Sequence, residues 1–401
     1  MRIKQWVNYA VLFLLILLPW QTRWIFKQIT FLGEPLSFGS LSFYVSQVVI
    51  VLLFMGLMVL AGWGFDFAKF GRRHVGAGLA LIVYLFFLLT LSRHVDLGLV
   101  HYSMIGFAGM LAVILLHPWI EKKTIFMGVS MSLVAPVLLG LYQVGMGSSA
   151  ASTLFGLAAR DAQVLGDSVF FLGGERTLRA YGSFPHPNIF AGYLLVGMWC
   201  AWRWIIESRA RIAYVLLGLL AVGLVATGSQ AAWLGMIFAG IWLFIERRVL
   251  VTVTHRAVVI IGAVFLALIS IWLGDSTSFL ERQEQYVMFF VAIELWDLIV
   301  GIGPLNYIFH LAKTLPGGDW WQYQPIHNAV LLVISEIGVI GSGLLSYLAW
   351  PKLKSLFRSR HFPLLLALIP PLFLDHYLWS TWAGLTIVIF LFSLDAKPSN
   401  H

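Results

Sequence analysis

Long, unbroken apolar runs dominate this chain, separated by short polar clusters. The runs fall at roughly 7–20, 42–63, 77–92, 100–117, 125–145, 188–206, 212–228, 231–245, 257–273, 327–349, 362–374 and 377–394. They are continuous rather than alternating, which predicts helices and not the period-two strands of a membrane barrel. Several are shorter than the ~20 residues of a straight span, so the helices are expected to extend into their flanks. The pattern predicts an all-α polytopic membrane protein of about 12 transmembrane helices, with residues 1–401 forming one integral membrane domain. Two polar segments stand out by length, 146–187 and 274–326. Inside the second, the apolar stretch Tyr286 to Ile302 is interrupted by Glu294 and Asp297. It reads as an amphipathic helix lying in the interface or capping a cavity.

Composition agrees. The chain is 60% hydrophobic and 11% charged, against about 25% charged in soluble domains. The first run follows Arg2 and Lys4 as in a signal peptide, but Pro19-Trp20-Gln21-Thr22 is a poor cleavage site, so a retained span is expected. The net charge of +8 does not point to nucleic acid, because the basic residues sit in short clusters between apolar runs, as orientation signals do. With both termini in the cytoplasm, 18 of the 26 Lys and Arg residues fall inside. Arg23, Lys27, Arg93, Arg160, Arg176, Arg179, Arg282 and Lys313 fall outside, together with both long segments. The inner loops are too short for a nucleotide-binding domain, and no Gly-x-x-x-x-Gly-Lys-Ser/Thr loop exists, which argues against an ATP-driven transporter. The single cysteine, Cys200, excludes a disulfide framework.

Chemistry is therefore expected on the outer face. Arg176 and Arg179 close the first long segment, just before Pro185-His186-Pro187-Asn188. A guanidinium fork matches phosphate oxygens, yet arginines at this depth also anchor lipid headgroups. The two prolines hold His186 in an extended turn, where it serves a structural hydrogen bond as readily as a substrate. Arg282 opens the second segment, and His327-Asn328 closes it at the start of an apolar helix. The helix dipole keeps an imidazole there neutral, as a general base requires; the bland alternative is a structural boundary histidine. Glu336 lies within the same span, where an ionisable group marks function or a structural hydrogen bond. Gly338 and Gly341 fit close helix packing. Asp375-His376 and Ser229-Gln230 are weaker candidates at the same boundary. There is no Asp-x-Asp or histidine cluster along the chain to suggest a divalent metal.

His327-Asn328, nine residues, then Gly338-Val339-Ile340-Gly341 resembles the His-[Asn/Ser/Gln]-x9-Gly-x-x-Gly pattern of the O-antigen ligase family. Similar segments are Arg179 to Asn188, Arg282 followed by Gly301-Ile302-Gly303-Pro304, Thr227-Gly228-Ser229-Gln230-Ala231, and Leu18 to Arg23. The resemblance covers nearly the whole chain and is strongest over 175–345. It implies a C-type membrane glycosyltransferase in a bacterial cytoplasmic membrane, inverting and metal-independent, with no cofactor. The implied partners are an undecaprenyl diphosphate-linked glycan donor, a lipid A–core or other glycan acceptor, and membrane lipids. His327 corresponds to the family's base, and Arg179 and Arg282 to its diphosphate clamps. Arg176, His186, Asn188, Gln230 and Asn328 are the expected substrate-binding residues. Family members often carry Ser-Arg where this chain has Ser229-Gln230, so one guanidinium is missing and Arg176 is a candidate substitute. Polymerases that join repeat units on the same carrier share these motifs, so the acceptor stays open. A transporter of lipid-linked glycan is the reading from another class, although no repeat relates the two halves.

Overall fold

In the computed structural model of the chain, residues 2–36, 40–61, 72–246 and 277–394 are described. The early apolar runs fold as α1 (Arg2–Leu17), α2 (Val45–Ala61), α3 (Arg72–Leu91) and α4 (Val95–Leu116). Next come α5 (Lys122–Ser132) and α6 (Val134–Met146), which follow one another across Leu133, then α7 (Pro187–Ser208), α8 (Arg211–Thr227) and α9 (Gln230–Ile245). The expected span at 257–273 lies outside the described residues. After it come α10 (Thr277–Ala292), α11 (Leu295–Val300), α12 (Tyr307–Thr314), α13 (Ala329–Phe357), α14 (Phe362–Leu374), α15 (Tyr377–Ser380) and α16 (Trp382–Leu394). Among the described residues, five helical stretches are long and apolar enough to cross a membrane: Arg73–Leu91, Val95–Leu116, Lys122–Met146, Pro187–Ser208 and Ala329–Phe357. The chain is a mostly helical membrane protein.

Burial ranks these helices from centre to edge. In the most apolar 18-residue window of α7, 89% of residues are buried, against 11% in that of α3. Gly192 and Gly197 let α7 meet its neighbours closely: a Cβ at Gly192 would fall 2.4 Å from the Tyr377 hydroxyl, and one at Gly197 2.4 Å from Leu133. On α3, by contrast, Ile82, Val83 and Phe86 are exposed, as a lipid-facing surface requires.

The segments between the spans depart from an all-α description. Residues 23–44 form two small antiparallel pairs, Arg23–Lys27 with Leu41–Tyr44 and Thr30–Phe31 with Glu34–Pro35. The first long segment forms two more, Ser148–Ser149 with Arg160–Asp161 and Val169–Leu172 with Glu175–Leu178. The last hairpin is written locally: Gly173 and Gly174 take φ of 59° and 89°, the positive pair that a tight two-residue turn needs. In the second segment, the single amphipathic helix expected over 286–302 is instead two helices. The acidic residues that interrupt the apolar run explain the break, because Glu294 caps α11 in a reciprocal capping box with Asp297. The run at 377–394 is also broken, at Thr381, whose extended backbone (φ −125°, ψ 149°) separates α15 from α16.

The last departure lies inside α13. Gly338 has φ 67° and ψ 171°, a kink within the helix. Its role is backbone geometry and not only close packing, since a Cβ there would stand 2.3 Å from the Ile299 carbonyl. Next to the kink, the Ser335 and Glu336 carbonyls accept from Ile302 N–H and Gly303 N–H, each at 2.9 Å. A strap formed by residues 301–303 is thereby laced to the broken helix. Gly341 does serve packing: a Cβ there would lie 2.9 Å from the Tyr84 ring of α3.

Candidate functional site

A cavity of about 440 Å³ opens at the end of the bundle where residues 181–186, 324–327 and 375–382 meet. His186, His327, Asp375 and His376 contribute to its walls, with Glu336 deeper along α13.

The first wall is fixed through backbone atoms. Gln143 of α6 accepts from Tyr181 N–H and Gly182 N–H (3.1 and 2.9 Å) and donates to the Gly182 carbonyl (3.0 Å). Pro187 starts α7, where its missing N–H costs nothing, and the His186 Nδ1 caps that helix by accepting from Asn188 N–H at 3.1 Å. Because Nδ1 accepts, the ring proton sits on Nε2 and points at Ser168 Oγ, 3.0 Å away. Burial lowers His186 to about 3. It is a neutral structural cap in the cavity wall.

Arg179 and Asn188 are joined to Asp375. The Arg179 Nε donates to the Thr227 carbonyl (2.6 Å), and its Nη2 donates to Asn188 Oδ1 (2.7 Å). Asn188 Nδ2 in turn donates to Asp375 Oδ2 (2.7 Å). Both polar atoms of Asn188 are thus committed to a relay. The Arg179 Nη1 has no protein partner among the described residues, so the guanidinium keeps donor capacity. Burial lowers Arg179 to about 10, with Tyr181 and Asp375 opposing and the charge of Arg282 assisting; it stays cationic at neutral pH.

The second wall carries His327 and is backed by α10, whose described residues do not themselves line the cavity. Arg282, Gln285 and Tyr286 lie on one helix face, by the three- and four-residue spacing. Gln285 Oε1 accepts from His327 N–H (3.0 Å) and lies 2.7 Å from His327 Nδ1. A backbone N–H can only donate, so the amide presents its oxygen, and the ring nitrogen on that same oxygen carries the proton. The His327 Nε2 is left with a lone pair. Tyr286 receives a hydrogen bond from Asn328 Nδ2 (3.0 Å), while Asn328 Oδ1 caps α13 by accepting from Leu331 N–H (3.0 Å). Asn328 is therefore a helix cap, both of its polar groups engaged. Arg282, one turn before Gln285, has no hydrogen-bond or ion-pair partner among the described residues. Its charge acts on both Arg179 and His327.

The third wall is the α14–α15 junction. Asp375 Oδ1 accepts from His376 N–H at 2.7 Å. The His376 Nδ1 sits 2.7 Å from Ser380 Oγ, whose own proton is directed to the His376 carbonyl (3.2 Å). The imidazole is thus the donor, and its Nε2 also carries a lone pair. The two rings meet edge to face, centroids 5.4 Å apart. Burial lowers His327, with Asp375 and Glu281 opposing and Arg282 assisting; it lowers His376 to about 4, against Asp375. Burial pushes Asp375 up, but its interactions with His327, His376 and His186 and the bond from Asn188 outweigh that and bring it to about 2. Near pH 7 the site holds three neutral imidazoles, His186, His327 and His376, and the Asp375 carboxylate.

The structure thus brings Arg179, His186, Asn188, Arg282 and His327 toward one end of the bundle, but of these only His186 and His327 line the cavity; Arg179, Asn188 and Arg282, like Asn328, stand behind its walls. Arg176 turns elsewhere: its Nε and Nη2 donate to the Ala162 and Val164 carbonyls (2.7 and 3.4 Å), bracing the hairpin loop, so it does not stand in for the guanidinium absent at Gln230. Gln230 opens α9, three residues beyond the carbonyl that grips Arg179, and does not line the cavity. Sequence reading passed over Arg160, which lines the cavity while paired with Asp167 (2.7 Å) and set over the Tyr181 ring (4.7 Å). It also passed over Gln285, although that residue's spacing from Arg282 was visible. A grouping absent along the chain exists in space: His327, Asp375 and His376 present ligand atoms all within 4.8 Å of one another.

No protein-family model matches this chain, and no curated protein matches its sequence.

Proposed function

We propose that this protein is a membrane glycosyltransferase of the O-antigen ligase type, moving a glycan from an undecaprenyl diphosphate carrier to an acceptor hydroxyl. In this reading the chain crosses a bacterial cytoplasmic membrane about twelve times, with both termini inside and the cavity on the outer face. No nucleotide is supplied there, so the donor arrives already activated by its diphosphate. The observation that carries the reading is the His327 arrangement: a neutral imidazole whose Nδ1–H is held by Gln285, whose Nε2 keeps its lone pair, and which feels the charge of Arg282.

In the proposed step the acceptor oxygen attacks the anomeric carbon of the donor sugar. The hydroxyl proton passes to His327 Nε2 as the new C–O bond forms. The bond from the anomeric carbon to the phosphate oxygen breaks, and its electron pair leaves on the diphosphate. Arg282 and the spare donors of Arg179 meet that growing charge where water is partly excluded, the condition under which fixed cations are most effective. Attack opposite the leaving group inverts the anomeric centre.

The test is transfer by purified, reconstituted protein supplied with lipid-linked glycan. His327→Ala should abolish transfer while leaving folded, monodisperse protein. Retained activity would remove His327 from the reaction. Running lipid A–core and lipid-linked repeat units as acceptors in parallel decides between ligase and polymerase.

A further inference from the structure

We infer that His327, His376 and Asp375 form a binding site for a divalent transition-metal ion of the Zn²⁺ type, and that an ion bound there inhibits the protein. This rests on the base role proposed for His327, because the ion would occupy the lone pair that the acceptor proton needs.

The argument begins with the donors. The ligand atoms of the three side chains lie within 4.8 Å of one another, His327 coming from the start of α13 and the consecutive Asp375 and His376 from the α14–α15 junction. In a filled tetrahedral site, metal–nitrogen bonds of about 2.0–2.1 Å set neighbouring donors roughly 3.3 Å apart. The remaining distance is within the swing of the His327 and His376 rings, both half-buried at the cavity wall, toward the buried Asp375 carboxylate. Two imidazoles and one carboxylate select zinc and its neighbours over Mg²⁺ or Ca²⁺, which require oxygen donors.

The surroundings of the rings strengthen the case. A metal-binding histidine ordinarily donates its other ring N–H to a fixed acceptor, which sets the tautomer and aims the lone pair. Both rings do this here, His327 to Gln285 and His376 to Ser380. Asp375 is steadied by Asn188 on one oxygen and by His376 N–H on the other. The local field is also permissive. The charge of Arg282 acts on His327, but the Asp375 and Glu281 carboxylates act on it in the opposite sense. The cavity leaves room for water or a substrate oxygen to complete the coordination.

The experiment uses the full-length chain in detergent, stripped with chelator. Zn²⁺ is titrated by calorimetry and bound metal is counted by elemental analysis, with Mg²⁺ as the control ion. The expected result is one Zn²⁺ per chain and no Mg²⁺, with His376→Ala and Asp375→Ala each weakening Zn²⁺ at least tenfold. Co²⁺ substitution gives a second readout: the intense visible absorption of a tetrahedral site should appear in the parent and vanish in both variants. Chelator-stripped protein should transfer glycan fully, and added Zn²⁺ should abolish transfer over the concentration range in which it binds. No stoichiometric Zn²⁺ binding, or binding unchanged in both folded variants, overturns the metal site and leaves the base role of His327 untouched. Stripped protein that is inactive until Zn²⁺ is added overturns the inhibition and the base role together, while the site itself stands.

Discussion

Gln285 Oε1 accepts hydrogen bonds from both the backbone and the ring of His327, at 3.0 and 2.7 Å. One side-chain oxygen thus fixes the position, the orientation and the tautomer of the proposed base. Gln285→Ala should leave two N–H groups without an acceptor and release the ring, lowering transfer by at least about tenfold, a part of what general base catalysis contributes. Donor binding should change little. Separate measurement of kcat and KM in the reconstituted assay checks this, and an unchanged kcat would show that the ring needs no such holder.

The acid limit of activity should lie below the ordinary imidazole value of about 6.5. His327 works deprotonated, and its pKa is lowered, first by burial and further by Arg282. Activity should therefore persist at pH 6.5 and disappear only as pH falls through the lowered value. Asp375 and Arg282 pull in opposite directions. Asp375→Asn should move the limit to lower pH and Arg282→Gln to higher pH, whatever either does to the maximal rate. A pH profile of kcat/KM for the three proteins reads both shifts.

Arg282→Lys keeps the charge and removes the fork. If Arg282 meets diphosphate through two parallel hydrogen bonds, lysine cannot replace it. Transfer should fall by about 10–100-fold, one to two decades at 1.4 kcal/mol each, the scale of a lost charge-assisted hydrogen bond. Near-parental turnover by the lysine variant would reduce Arg282 to a diffuse charge.

Arg179, Asn188 and Asp375 should behave as one unit. The amide of Asn188 receives from the first and donates to the third. Asn188→Ala therefore disconnects both neighbours, and adding Arg179→Gln should cost much less than the sum of the separate losses. Coupling of about 0.5–3 kcal/mol is typical of such networks. A double-mutant cycle on kcat/KM measures it; strict additivity would separate the two residues.

Much of this was legible in the chain. Uninterrupted apolar runs declare helices without help from the rest of the molecule, and α14 begins at Phe362 and ends at Leu374, the limits read from the sequence. Arg282 and His327 were identifiable because basic residues are scarce in outer segments and because each stands at a limit of the second long segment. What escaped depends on contacts between distant segments. Asn328 and Arg176 looked available for substrate, yet the first is spent on capping α13 and on Tyr286, the second on two loop carbonyls. Asp375 and His376 could be placed at the boundary but not beside His327, since no local rule fixes the packing of α15 against α13. Gly338 was read as a packing residue because the spacing of two glycines does not reveal a positive φ.

The strap across the broken α13 is tied by main-chain atoms alone, from Ile302 and Gly303 to Ser335 and Glu336. A joint of that kind is indifferent to side-chain chemistry but intolerant of side-chain bulk. A single methyl group at 301, 303 or 338 would meet backbone or Ser92 within 2.6 Å. Reshaping this chamber is thus a matter for its walls, and three glycines hold the base level while the walls change.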